Sequence, residues 1–189
     1  MEAGELQDIT ISVLAIAIAF SIGKLAFFPI ILLTVGVGFV AHELMHRFAA
    51  NHYGARAFYR AWPEGLLFML ATAIISGGRF LFAAPGAVYI YSSYLSRREN
   101  GIISLAGPLT NILLAIVFLF LSVAVGLRGT PNAELLAQSL LSFGTYINLY
   151  LAFFNLLPIP PLDGSKVAAW NFPLWAFIMV ILTFLLFVG

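Results

Sequence analysis

The chain has 189 residues, of which 62% are hydrophobic and only 9% are charged, and its mean hydropathy is +1.02. Soluble domains are closer to half apolar and a quarter charged, so the composition excludes an ordinary soluble domain and favours a polytopic membrane protein. The net charge of +1 gives no basic footprint for nucleic acid, and the absence of cysteine excludes disulfides and thiolate metal sites.

Five apolar runs are predicted to lie in the bilayer, whose hydrocarbon core takes a helix of ~20 residues. They cover residues 9–22 (extending toward Leu25), 26–50, 102–127, 133–157 and 172–188. The acidic start, MEAGELQD, differs from the basic start of a signal peptide, so the first run is expected to be a retained span. Asn171 is the predicted N-cap of the last run, with Pro173 in its first turn. That run ends at Gly189 without a polar tail, as a truncated chain would.

Residues 51–101 fit no simple span. The segment GLLFMLATAII (65–75) is too short to cross, and we interpret it as re-entrant or interfacial. The following segment, GGRFLFAAPGAVYIYSSY (77–94), is rich in β-branched and aromatic residues and predicts one or two strands at the membrane surface. Non-helical backbone at membrane depth is tolerated only against protein or water, so this region is expected to line a cavity.

The distribution of basic residues predicts the orientation. If residues 65–75 return to the side they left, seven basic residues share one face and two share the other. The positive-inside bias then assigns the larger group to the cytosol, and the second and fourth spans end at the same depth near it. A full crossing by 65–75 would invert the downstream spans. The larger group comprises Arg47, Arg56, Arg60, Arg79, Arg97, Arg98 and Lys166, and the smaller one Lys24 and Arg128.

The segment HELMH (42–46) lies near the end of the second run. His42 and His46 are four residues apart, so both imidazoles lie on one helical face and can reach a single metal ion. Glu43 is about 100° around the helix, where it can reach a water molecule at the metal. The pattern is the H-E-x-x-H arrangement of zinc hydrolases, and ionisable residues within a span usually mark function. A structural metal site and a buried polar network are the alternatives.

A catalytic zinc usually has three protein ligands, so a third ligand is expected beside the two histidines. His52, in AANHYGA, is interpreted as an ordinary polar loop residue. Six of the eight acidic residues lie in the N-terminal tail or flank spans, which leaves Glu43 and Asp163. Prolines at 158, 160 and 161 must end the fourth span near Leu157, and the chain is expected to run extended through 162–164. An ordinary Asp-Gly turn is the alternative, but the matching depth of the two motifs favours Asp163 as a ligand.

HELMH, together with NLLPIPPLDG (155–164) and with AGPLTN (106–111) between them, resembles the site-2 protease family of intramembrane zinc metalloproteases over residues 26–168. The resemblance implies that one Zn²⁺ is bound by His42, His46 and Asp163. It also implies that Glu43 is the catalytic base and that Asn155 holds the substrate or its oxyanion. Asn111 is left with two interpretations of equal standing, a contribution to catalysis or a helix–helix hydrogen bond.

The expected protein is therefore an all-α polytopic membrane protein. It has five to six transmembrane helices and a small membrane-associated β-region between the second and third spans. We expect a single domain over 1–189, with no room for the PDZ or CBS domains of many relatives, in the cell membrane with its active site toward the cytosol. The expected reaction is zinc-dependent hydrolysis of transmembrane protein substrates, which residues 79–91 could capture by strand addition. Neither substrate identity nor oligomeric state follows from the sequence.

Two other functions are the alternatives for a membrane protein with these residues. A membrane zinc transporter could use the same ligands, but these cluster near one face, and no inverted repeat of the transporter type is visible. A catalytically inactive membrane scaffold has no positive support, since the proposed catalytic set is complete.

Overall fold

A computed structural model of the chain describes residues 4–82, 85–91 and 95–188, with the backbone alone for 87–91. The described part is mostly helical. Its helices are α1 (Glu5–Ser21), α2 (Phe28–His52), α3 (Pro63–Ile75), α4 (Arg97–Gly126), α5 (Pro131–Ser139), α6 (Tyr146–Asn155), α7 (Asp163–Trp170) and α8 (Phe172–Phe187). A 3₁₀ turn (Leu25–Phe27) precedes α2, and a π-helix (Leu140–Thr145) joins α5 to α6. The strands are β1 (Arg56–Ala61) and β2 (Gly86–Tyr91).

Among the described residues, two helical segments are long and apolar enough to cross a membrane. They are Leu25–His52, with 28 residues, and Arg97–Gly126, with 30 residues. The other three predicted spans are also helical, but α1 has 17 residues, α8 has 16, and the fourth run is divided among α5, the π-helix and α6. Length and composition therefore support two of the five predicted spans by themselves. Asn171 caps α8 as predicted, since its Oδ1 accepts a hydrogen bond from Leu174 N at 3.1 Å.

The β-region contains one strand that was predicted and one that was not. β2 lies inside the predicted segment 77–94, while residues 77–82 form no strand and residues 83, 84 and 92–94 lie outside the described part of the chain. Its partner β1 was missed, because RAFYRA is short and mixes Arg and Ala with aromatic residues. The strands are antiparallel, with Arg56 opposite Tyr91 and Ala61 opposite Gly86. The helix α3 connects them.

The helix α2 lies at the centre of the packed helices. α2 packs against α1 on one side and α4 on another, and α4 in turn contacts α7. The largest buried cluster draws on α1, α2, α3, β1 and α6, and includes Ile16, Val35, Met69, Tyr59 and Leu151. Between helices in a bilayer, such contacts stabilise the association mainly through van der Waals packing. The last turns of α2 are thus held by packing from several elements, which fixes the position of the HELMH segment.

Candidate metal centre

Three of the predicted site residues converge on one point. His42 and His46 lie on successive turns of α2, each with 4% of its surface exposed, and their Nε2 atoms are 2.9 Å apart. Asp163 Oδ2 is 3.5 Å from His42 Nε2 and 3.0 Å from His46 Nε2. The potential ligand atoms all lie within 4.8 Å of one another, so a single metal ion can contact all three.

Asp163 reaches the histidines through a sharp reversal of the chain after α6. The helix ends at Asn155, and the proline-containing segment that follows is irregular, as predicted. The expectation that the chain runs extended through 162–164 was wrong, because Asp163 is the first residue of α7. Gly164 permits the reversal, since a Cβ there would collide with the carbonyl oxygen of Leu156. The carboxylate is therefore presented by the first turn of a helix.

The surroundings of Asp163 favour its ionised form. Burial alone would raise its pKa, but the interactions with His46 and His42 outweigh burial and lower the pKa below its ordinary value. Lys166 lies one turn further along α7, with Nζ 3.8 Å from Asp163 Oδ1. An ionised carboxylate is the form that binds a metal ion.

Hydrogen bonds to α4 orient both histidines through their Nδ1 atoms, which are opposite the Nε2 atoms that face Asp163. The Nδ1 of His46 lies 2.8 Å from the carbonyl oxygen of Ile103, which can only accept, so Nδ1–H donates and the Nε2 lone pair is free for a metal. The Nδ1 of His42 lies 2.6 Å from Asn111 Oδ1. Of the two interpretations of Asn111, the structure shows the hydrogen bond between helices. A second partner on the outer nitrogen is the usual way in which proteins orient ligating histidines.

Glu43 lies beside the histidines and borders a narrow cleft. Among the described residues, its buried Oε2 has no hydrogen-bond partner. Asn155 reaches the same cleft, where its Nδ2 donates to Leu151 O at 2.9 Å. The cleft is lined by Ile16, Phe39, His42, Glu43, Pro85, Gly86, Asn111, Leu151 and Asn155. The structure thus brings the two predicted catalytic side chains together, while His52 is the exposed last residue of α2, apart from the ligand group.

The residues present fit a zinc ion. Two imidazole nitrogens and one carboxylate oxygen form a catalytic donor set that leaves a position open. Space for the ion is kept by Gly107 of α4, because a Cβ there would lie 2.6 Å from His42 Nε2 and closer still to His46 Nε2. The buried Oε2 of Glu43 beside them is costly to leave without a partner, and a ligand or water in the cleft would complete its hydrogen bonding. The sequence did not single out Gly107 for this purpose.

Comparison with known proteins agrees with this site. Residues 121–176 match the family described as Peptidase family M50, and this stretch contains Asn155 and Asp163. The chain is 49% identical over 176 residues to "Putative zinc metalloprotease MJ0611" of Methanocaldococcus jannaschii, which covers 92% of this chain and 88% of that protein. No solved structure matches the chain.

Two bacterial proteins are more distant relatives. The protein named "Putative zinc metalloprotease YwhC" of Bacillus subtilis is 30% identical over 76% of this chain and 69% of its own length. The protein named "Putative zinc metalloprotease Rip2" of Mycolicibacterium smegmatis is 32% identical over 65% of this chain and 49% of its own length. The resemblance that the motifs indicated is confirmed: this chain belongs to peptidase family M50, the family of the site-2 proteases.

Proposed function

We propose that the chain is a zinc-dependent endopeptidase that cleaves membrane proteins in or near their transmembrane segments. The observation that carries the proposal is the convergence of His42, His46 and Asp163 at the end of an apolar 28-residue helix. A charged group in such a helix is costly and is normally retained for function. The names of the relatives support zinc and proteolysis.

The proposed reaction is addition of water to the peptide carbonyl, followed by release of the amine. A zinc ion held by His42, His46 and Asp163 would act as a Lewis acid toward the carbonyl and acidify water. The Glu43 carboxylate takes one proton from the attacking water and delivers it to the leaving nitrogen as the C–N bond breaks. The side-chain amide of Asn155 donates to the oxyanion that develops on the carbonyl oxygen. Loss of one such donor typically costs ~10²–10³ in rate.

The membrane arrangement proposed here has five spans. They are α1, α2, α4, the continuous helical run from α5 to α6, and α8, with α3 and the sheet at the membrane surface. The three shorter or divided spans are supported by their apolar character and by the packing of α1 and α6 against α2. The seven basic residues predicted to share a face orient the metal centre toward the cytosol.

A helical substrate must be unwound before its backbone can react, because its peptide groups are engaged in its own hydrogen bonds. Strand addition to β2 would replace those bonds. Two facts support β2 as the acceptor. Within the described part of the chain β2 pairs only with β1. The cleft beside Glu43 is lined by Gly86, the first residue of β2, and by Pro85 before it. A peptide added to the free edge would therefore lead into the cleft.

The test compares wild type with Glu43→Gln in detergent, using a single-span model substrate. The variant should keep its zinc and lose hydrolysis, because the amide cannot take the proton. Glu134→Gln, an exposed carboxylate on α5, is the matched control and should cleave normally. Asp163→Asn should weaken zinc binding. Equal cleavage by wild type and Glu43→Gln would remove Glu43 from the mechanism.

Zinc transport, the alternative function, is not favoured, since the relatives are named metalloproteases. Zinc flux into sealed vesicles without any proteolysis would reverse this preference.

A further inference from the structure

We propose that Asn111 and Asn148 form a positioning relay that fixes the tautomer of His42, so that its Nε2 lone pair faces the metal. The proposal rests on the proposed function in taking His42 as a zinc ligand. Asn148, on α6, did not emerge from the sequence as a site residue. Both asparagines are fully buried, at 0% exposure.

The relay is a chain of side-chain amides across three helices. His42 Nδ1 is 2.6 Å from Asn111 Oδ1. Asn111 Nδ2 donates to Gly38 O at 3.1 Å and to Asn148 Oδ1 at 3.0 Å. Asn148 Nδ2 donates to Gly144 O at 2.8 Å. One end of the relay is therefore the backbone carbonyl Gly144 O, and a second backbone carbonyl, Gly38 O, accepts from Asn111 in the middle of the relay.

The direction of every bond follows from those two carbonyls, because a carbonyl oxygen can only accept. Gly144 O requires the amide nitrogen of Asn148, so the Asn148 oxygen must face Asn111. That oxygen and Gly38 O both require the nitrogen of Asn111, so the Asn111 oxygen must face His42. His42 must then donate from Nδ1, which leaves Nε2 unprotonated and able to bind a metal. The opposite tautomer would place two acceptors against each other in a buried site.

Two glycines make the relay sterically possible. A Cβ on Gly38 would collide with Asn148 Oδ1, so glycine alone allows α6 to approach α2 this closely. Gly144 belongs to the π-helix, and a Cβ there would lie 2.6 Å from Cδ1 of Phe118 on α4. Gly144 O, which accepts from Asn148 Nδ2, therefore belongs to the π-helix. The π-helix thus has a specific role, which is to supply this acceptor to the relay.

The first test reads the tautomer directly in metal-free protein. The chain has three histidines, so ¹⁵N-histidine labelling gives few signals, which single substitutions can assign. Wild-type His42 should carry a proton on Nδ1, because that nitrogen lies 2.6 Å from Asn111 Oδ1. Asn111→Leu should give a mixture of tautomers, and Asn148→Leu should shift the population in the same direction. Asn111→Asp loses the donor to Gly38 O and Asn148 Oδ1 but keeps an acceptor toward Nδ1–H, so the wild-type tautomer should persist.

The second test measures zinc affinity by chelator competition. Loss of an outer hydrogen-bond partner typically weakens metal binding ~10–100-fold, which we expect for Asn111→Leu. Asn148→Leu should lie at the lower end of that range, and Asn111→Asp should retain most of the affinity. Ser122→Ala is the control, because its hydroxyl is also buried on α4 but bonds Leu119 O within the same helix. It should bind zinc like wild type.

The outcomes separate the relay from the proposed function. Wild-type His42 protonated at Nε2, or Asn111→Leu with unchanged tautomer and affinity, would overturn the relay even if the enzyme cleaves its substrate. A wild-type protein with the Nδ1–H tautomer but no zinc binding would overturn the proposed function and leave the relay standing. If Asn111→Leu does not fold, the Asn148→Leu and Asn111→Asp proteins still decide the matter, because a merely structural role would not move the tautomer.

Discussion

Gly107 of α4 lies directly against His42 of α2: a Cβ built on the glycine would be 2.6 Å from His42 Nε2. Normal carbon–nitrogen contacts are longer, so the ligand nitrogens and a side chain at 107 cannot share this space. The AGPLTN segment therefore contributes to the site in two ways. Gly107 leaves room in front of the imidazoles, and Asn111, one turn later on the same helix, holds the His42 ring from behind.

Gly107→Ala should weaken zinc binding. Overpacking typically costs ~1–3 kcal/mol. If that cost falls on the zinc-bound form, affinity decreases about 5- to 150-fold. Gly126→Ala, on the same helix, is the control, since its Cβ would meet only Ala137 Cβ at an ordinary 3.5 Å. Zinc titration and thermal unfolding of both variants provide the measurement. Equal zinc affinity in Gly107→Ala and wild type would show that the metal lies elsewhere.

Removing the metal should destabilise the fold. A ligand that binds only the folded state stabilises it by about 4 kcal/mol at 1,000 times its Kd. For a chain of this size that corresponds to a decrease in Tm on the order of 10 °C after chelation. Asp163→Asn should start from the lower Tm and respond little to the chelator. The measurement is thermal unfolding in detergent with and without added zinc, and a chelator-insensitive wild-type Tm would contradict the expectation.

The free edge of β2 can be tested with proline. Trp62 N donates to Pro85 O at 2.9 Å, and the register continues from that pair. Hydrogen-bonded pairs alternate in an antiparallel ladder, so the backbone groups of 87, 89 and 91 face β1 and those of 86, 88 and 90 face outward. Val88→Pro should therefore remove an outward N–H while sparing the ladder.

One lost hydrogen bond is worth ~0.5–1.5 kcal/mol, so kcat/KM for a membrane substrate should decrease about two- to tenfold in Val88→Pro. Val88→Ala controls for loss of the side chain and should cleave normally. Tyr89→Pro should instead break the β1–β2 ladder and lower the Tm. Full activity in a folded Val88→Pro protein would argue against strand addition at this edge.

Glu5 is expected to stabilise the fold, although it lies near the N-terminus. Its carboxylate is 2% exposed, accepts from Tyr59 N at 3.2 Å and lies 3.4 Å from Arg47 Nη1. Glu5 thus connects α1 to β1 and to Arg47, which follows His46 in α2. Glu5→Ala leaves the buried Tyr59 N–H unpaired, at ~1–3 kcal/mol, and should lower the Tm by several degrees, at about 2–4 °C per kcal/mol.

Glu5→Gln retains an acceptor for Tyr59 N–H and should lie between the alanine variant and wild type. Glu134→Ala, an exposed acidic residue of α5, should change the Tm little. Indistinguishable melting of Glu5→Ala and Glu134→Ala would show that the buried carboxylate adds no net stability.

Much of the site could be predicted because its signals are local. The spacing of His42 and His46 decides that both face the same way on any helix. The prolines that follow Asn155 cannot continue a helix, so they end α6 regardless of which elements it packs against. Asn171 caps α8 through a bond to a residue three positions away. Each of these depends on covalent geometry over a few residues, and so does the family motif that they form.

What the amino-acid sequence alone determined is therefore the chemistry: two imidazoles, two carboxylates and an amide in an apolar chain. The tertiary fold was needed to show that RAFYRA pairs with β2, that Gly107 lies against His42, and that Asn148 bonds Asn111. These features join residues far apart in the chain. Such contacts depend on how closely whole helices approach, and that is set by packing over the entire core, which no local pattern encodes.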